Sequence, residues 1–192
     1  MGKKFVLITI GIIVLFLTVA PKVHAEGLAG SSAQMNPDRV QLFCVAQPTT
    51  EVDYQIKKRV IKKVLEKYNS PLADSTDAFI STCEKYKLDC YLLPSIAGLE
   101  STYGKFIWPG SHNPFGWGGG YIMFDDWSKS IDAVGKGLRY NYINKGALTT
   151  EEIGRIYSES PTWATRVEII RSQFEKEEQN NGLFFADLNV KL

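Results

Sequence analysis

Glu100 is the acidic residue of a stretch that otherwise reads as apolar or small, Leu92 to Gly104: Leu-Leu-Pro-Ser-Ile-Ala-Gly-Leu-Glu-Ser-Thr-Tyr-Gly. On a helical period Leu93, Ile96, Glu100 and Tyr103 share one face, because residues three and four apart stack on the same side. Burial against such neighbours penalises a carboxylate and favours its protonated form. A carboxylic acid kept protonated near neutral pH can donate a proton to a leaving group. The same spacing also suits a helix end where Glu100 reaches water or caps a loop.

Other groups with chemical potential follow closely. Phe106 to Phe124 loses the helical period, and Trp117-Gly-Gly-Gly-Tyr-Ile-Met-Phe predicts a short β-hairpin turning at the glycines. Glycine among aromatics brings backbone close to a ligand, and Trp117 and Tyr121 present flat faces of the kind that cover sugar rings. Phe115 is expected to pack inward. Asp125 and Asp126 come next, with two roles open to them: a second carboxylate facing a groove with Glu100, or a cap for the helix near Trp127. His24 and His112 stand alone with no ligand spacing around them, so no metal site and no cofactor is expected.

The elements that must position these residues read as helices. Glu51 to Tyr68 is amphipathic, with Lys57, Lys58, Arg59, Lys62 and Lys63 on its polar face, either a solvated surface or a contact to an anionic envelope. Asn69-Ser70-Pro71 breaks it. A second helix is expected from Asp74 to Lys87, and Asp89 can cap the helix of Glu100. Further helices are expected over Asp126 to Ile143, from Thr150 with Ile153, Ile156 and Tyr157, and from Ser160-Pro161 with Trp163, Val167, Ile170 and Phe174 inward. Trp163 reads as core. Cys83 and Cys90 flank one helix end at a spacing suited to a local disulfide, and Cys44 is left over.

The 192 residues are 44% hydrophobic and 22% charged with a formal net charge of +1, a globular composition without the clustered basic charge of a nucleic-acid-binding surface. Lys3 and Lys4, the apolar run Phe5 to Ala20 and Val23-His24-Ala25 predict a secretory signal cleaved after Ala25. Membrane association would come only through that segment if it stays uncleaved. The expected organisation is a signal peptide over 1–25, a linker and amphipathic helix over 26–69, the main domain over 70–178 and a tail over 179–192.

Three ordered motifs give a resemblance. Glu100-Ser101-Thr102-Tyr103-Gly104 resembles the Glu-Ser-x-x-Gly around the catalytic acid of goose-type lysozymes and lytic transglycosylases. Together with Asn113-Pro114-Phe115-Gly116 and Tyr157-Ser-Glu-Ser-Pro-Thr-Trp-Ala-Thr-Arg-Val167, it is more similar to the bacterial endo-β-N-acetylglucosaminidases of peptidoglycan. The resemblance implies a mainly α, α+β, lysozyme-like helical domain with one small β-hairpin as a groove wall. It implies an extracytoplasmic glycoside hydrolase acting on the glycan strands of peptidoglycan, with Glu100 as general acid. Tyr157 answers the family's tyrosine, to stabilise charge or orient water across the cleft, or else to sit in the core. Ser101 and Asn113 become substrate-side polar groups that support the acid and the loop. Ser160 stands where the family pattern has Asp, so no carboxylate carries over there. The Gly-Leu-Met-Gln of lytic transglycosylases is missing, although transglycosylation stays open, as does a catalytically silent glycan-binding module.

Overall fold

Thr50 starts the first helix by a reciprocal cap. Its hydroxyl accepts the Asp53 N–H at 3.2 Å and the Asp53 carboxylate accepts the Thr50 N–H at 3.0 Å. The computed structural model describes Cys44 and residues 50–189, with side chains as far as Asn181. The expected signal peptide and nearly all of the expected linker lie outside those residues. Six α-helices follow in order among the described residues: α1 Glu51–Lys67, α2 Thr76–Tyr86, α3 Leu92–Ser101, α4 Trp127–Gly137, α5 Thr150–Tyr157 and α6 Trp163–Asn189. None of them is long and apolar enough to cross a membrane.

α3 is the central helix. Every residue from Leu92 to Ala97 is buried, which only a helix packed on all sides can sustain. Pro94 is tolerated because the first turn has no intrahelical acceptor for its missing N–H. α6 packs along α3 and α1, α4 packs on α2, and α5 rests on α6. The Cys83–Cys90 disulfide, with Cα atoms 5.0 Å apart, ties the end of α2 to the start of α3. Asp89 accepts the Tyr91 N–H at 2.9 Å just before α3, while the cap position itself falls on Tyr91. Cys44 is a free, buried thiol whose pKa burial pushes up to about 12.

α1 packs into the main core through Val60, Ile61 and Leu65. Its basic face is answered inside the fold: Lys57 pairs with Glu178 at 3.0 Å, Lys58 with Asp77, and Lys63 with Glu177. Such part-exposed pairs contribute little each; those of Lys57 and Lys63 join α1 to α6, and that of Lys58 joins α1 to α2. α6 continues to Asn189, through residues expected to be a tail.

The β-hairpin expected over Trp117–Phe124 does not form. Gly116, Gly118, Gly119 and Gly120 all take positive φ, from 62° to 84°, and Trp117 to Tyr121 runs as consecutive turns with no strand beside them. The return strand is replaced by single bonds, such as the Phe124 N–H to the Ser111 carbonyl at 2.8 Å.

α2 and α4 cross closely at Gly135, where a Cβ would overlap the Thr82 methyl and sit 3.3 Å from the Tyr86 ring. Gly135→Ala is expected to lower stability by about 1–3 kcal/mol through overpacking, despite alanine's better helix propensity. Chemical denaturation of the two proteins checks this, and an unchanged midpoint would show that the crossing yields freely.

Candidate active site

The end of α3 decides how Glu100 is presented. Thr102 and Tyr103 take positive φ of 50° and 59°, and Gly104 follows at 82°, so the chain turns away immediately after the acid. Leu93, Ile96 and Tyr103 are buried as their shared face predicts, but Glu100 is exposed. The expectation that apolar neighbours bury its carboxylate is therefore wrong. The helix stops before a packed face can cover it.

What Glu100 has instead is a directional partner. Its Oε1 accepts the indole N–H of Trp163 at 2.7 Å. Trp163, in the first turn of α6, is 3% exposed and stacks on Tyr157 with ring centroids 4.9 Å apart and planes 26° apart. Gly154 makes room behind it, since a Cβ there would lie 2.9 Å from the indole. Tyr157 in turn donates its hydroxyl to the Phe115 carbonyl at 2.7 Å. Burial first, and then the charge of Glu100, push the Tyr157 pKa well above the usual phenol value, so the hydroxyl stays neutral.

The loop opposite is built by two buried polar side chains. The one hydroxyl proton of Ser101 lies between the Pro114 carbonyl at 2.7 Å and the Ala97 carbonyl at 3.0 Å, and its oxygen accepts the Gly104 N–H at 2.8 Å. Asn113 donates to the Trp117 and Ile122 carbonyls at 2.8 and 3.3 Å and accepts the Trp117 N–H at 3.0 Å. Both were expected as substrate-side groups that support the acid and the loop; both line the cavity beside Glu100, and their hydrogen-bonding groups are engaged with backbone.

Gly116 lies beside the acid, where a Cβ would be 3.6 Å from Glu100 Oε2. Between this loop and the end of α3 is a cavity of about 430 Å³, lined among others by Glu100, Lys105, Trp108, Asn113, Gly116 and Tyr121. Trp108 and Tyr121 are 61% and 74% exposed with ring centroids 6.0 Å apart, large apolar faces left open at the cavity wall. Trp117 is elsewhere. It lines an adjoining hollow of about 130 Å³ with Tyr142 and Tyr157, which shares Gly116 and Gly119 with the first. Trp117 is wedged over Gly137, where a Cβ would come within 2.6 Å of its ring. Tyr142 reaches this hollow from a π-helical turn, Leu138–Tyr142, that follows α4.

The two candidate second carboxylates are not brought to Glu100. Asp126 caps α4, accepting the Lys129 N–H at 2.8 Å, and both Asp125 and Asp126 are exposed away from the cavity lining. Glu100 is the carboxylate of that lining. Another hollow of about 420 Å³, between α5 and the start of α6, contains Glu151 and Glu159 but neither Glu100 nor the aromatic loop. Among the described residues, no group of three or more His, Cys, Asp or Glu is arranged to hold a metal ion.

Trp163 is the site residue that sequence reasoning missed, because it falls on an apolar helix face. The available signal was its N–H, since a buried indole generally finds an acceptor. Lys105 and Trp108 were missed for another reason: they are loop residues whose neighbours are set only by the turn after α3.

No family model matches the chain, and no curated protein matches it in sequence. Among solved structures, S. aureus autolysin E, crystallised in complex with the muropeptide NAM-L-Ala-D-iGlu, is similar with a TM-score of 0.55 and 19% identity. The likeness covers 73% of this chain and 72% of that one. At that identity the shared property is the fold over the matched part of the chain.

Proposed function

We propose that this chain is an extracytoplasmic peptidoglycan hydrolase of the β-N-acetylglucosaminidase type, cutting β-1,4 bonds of the glycan strand with Glu100 as general acid. The observation that carries this is the placement of Glu100: a carboxyl group oriented by a buried indole, on a cavity flanked by glycine backbone and two exposed aromatic rings. The fold shared with a muropeptide-binding autolysin and the three ordered sequence motifs support the same substrate class. The Cys83–Cys90 disulfide and the apolar N-terminal run support an oxidising compartment outside the cytoplasm.

The chemistry follows from one carboxyl group. Glu100 protonates the glycosidic oxygen as the bond to C1 breaks and positive charge builds on the sugar ring. With no second carboxylate on the cavity, the acetamido group of the substrate takes the nucleophile's place at C1, and water then opens that intermediate. Bound sugar covers the exposed carboxyl, excluding water at the moment of transfer. Tyr157 holds the Phe115–Gly116 backbone beside the acid, and Trp108 and Tyr121 stack on sugar faces.

Mass spectrometry of purified sacculi after incubation with the protein tests this. New reducing ends on N-acetylglucosamine are expected. Anhydro ends would make the chain a lytic transglycosylase, and binding without new ends would make it a glycan-binding module.

A further inference from the structure

We propose that Trp163 is a positioning residue that decides which oxygen of Glu100 carries the proton. The inference rests on the reading of Glu100 as the acid. An indole N–H can only donate. Its bond to Oε1 at 2.7 Å therefore needs a lone pair on that oxygen in either protonation state of the carboxyl. In a protonated carboxyl the carbonyl oxygen is the better acceptor, so Oε1 is the carbonyl and the proton sits on Oε2. Oε2 is the oxygen beside Gly116, where the missing Cβ leaves the approach open.

The same bond strengthens as the reaction proceeds. When Oε2 gives its proton to the glycosidic oxygen, the C1–O bond breaks and the negative charge stays on the Glu100 carboxylate. The neutral hydrogen bond from Trp163 then becomes a charge-assisted one, stronger by roughly a factor of two. An interaction that gains strength toward the transition state raises kcat and leaves ground-state binding nearly alone. The indole cannot turn away, because Tyr157 stacks on it and Gly154 is closed behind it. Gly154 thus belongs to the arrangement without touching the acid.

Two variants and one spectrum test this. Trp163→Phe keeps an apolar ring and removes the donor, and is expected to lower kcat about tenfold with KM little changed. Trp163→His can return a ring N–H near the place of the indole nitrogen and is expected to recover much of that loss. Independently of activity, the indole proton of Trp163 is expected downfield of those of Trp108, Trp117 and Trp127 in the proton NMR spectrum, and to move upfield in Glu100→Ala. An active wild type matched in kcat by a folded Trp163→Phe overturns the inference and leaves the hydrolase reading standing. An indole resonance unmoved by Glu100→Ala also overturns it. A wild type that cleaves no glycan overturns the enzymatic reading, and the inference falls with it.

Discussion

Glu100→Gln is expected to lower the rate of reducing-end release from sacculi by about a thousandfold, with binding to the same sacculi retained. Glutamine has the shape of the acid, and its amide oxygen can still accept the Trp163 N–H, so the bond that orients residue 100 survives. Residue 100 is exposed, and its replacement leaves no hole in the core. The melting temperature should stay within a degree or so of the wild type, since surface changes of this kind fall within about 0.5 kcal/mol. What is lost is the ability to give a proton, which an amide does not do at neutral pH. A leaving sugar oxygen then has to depart without one. Initial rates, sacculus sedimentation and a thermal melt on the same preparations separate the chemical loss from any loss of fold or binding. Equal rates for the two proteins would remove Glu100 from the mechanism.

The way Glu100 was found also shows what a sequence can carry. The helical period singles out Glu100, yet for a reason the structure does not uphold: the residue is exposed. Leu93, Ile96 and Tyr103 do face the core, but the left-handed turn at Thr102 and Tyr103 ends α3 before Glu100 can be covered. A period describes a continuing helix, and functional side chains often sit where the helix stops. Caps are more legible, because donor and acceptor lie within three residues. Thr50 with Asp53, and Thr149 with Glu152, mark the starts of α1 and α5 in that way.

Partners far apart in sequence stay hidden from such reasoning. Lys57 and Lys63 read as part of a solvated or envelope-facing basic surface until Glu178 and Glu177 are seen opposite them. Trp163 reads as core until Glu100, 63 residues away, is found at its nitrogen. The glycine-rich loop misled for a third reason. Tyr121 to Phe124 looks like the apolar half of a hairpin, and glycines at positive φ suit a hairpin turn, but the residues before them supply no strand to pair with.

That loop owes its shape to Asn113, and its replacement is expected to have the second large effect. Asn113 is 3% exposed and holds the turn by three bonds, one to the Trp117 N–H and two to the Trp117 and Ile122 carbonyls. Alanine removes all three. At a net contribution of about 1 kcal/mol each, Asn113→Ala should cost about 3 kcal/mol and lower Tm by roughly 10 °C. The activity loss should be larger than the stability loss suggests. Gly116 borders Glu100 Oε2 and Trp117 closes the adjoining hollow, so a shift of about 1 Å in this turn can cost on the order of a hundredfold in rate. Asn113→Asp sharpens the expectation. It keeps an oxygen for the Trp117 N–H but sets a carboxylate against two carbonyls that need donors, so it should be no better tolerated than alanine. Measured well below the lowered Tm, both variants should remain folded by circular dichroism and release reducing ends about a hundredfold more slowly. Wild-type kinetics in Asn113→Asp would mean that the amide's two donor bonds do not shape the wall beside the acid.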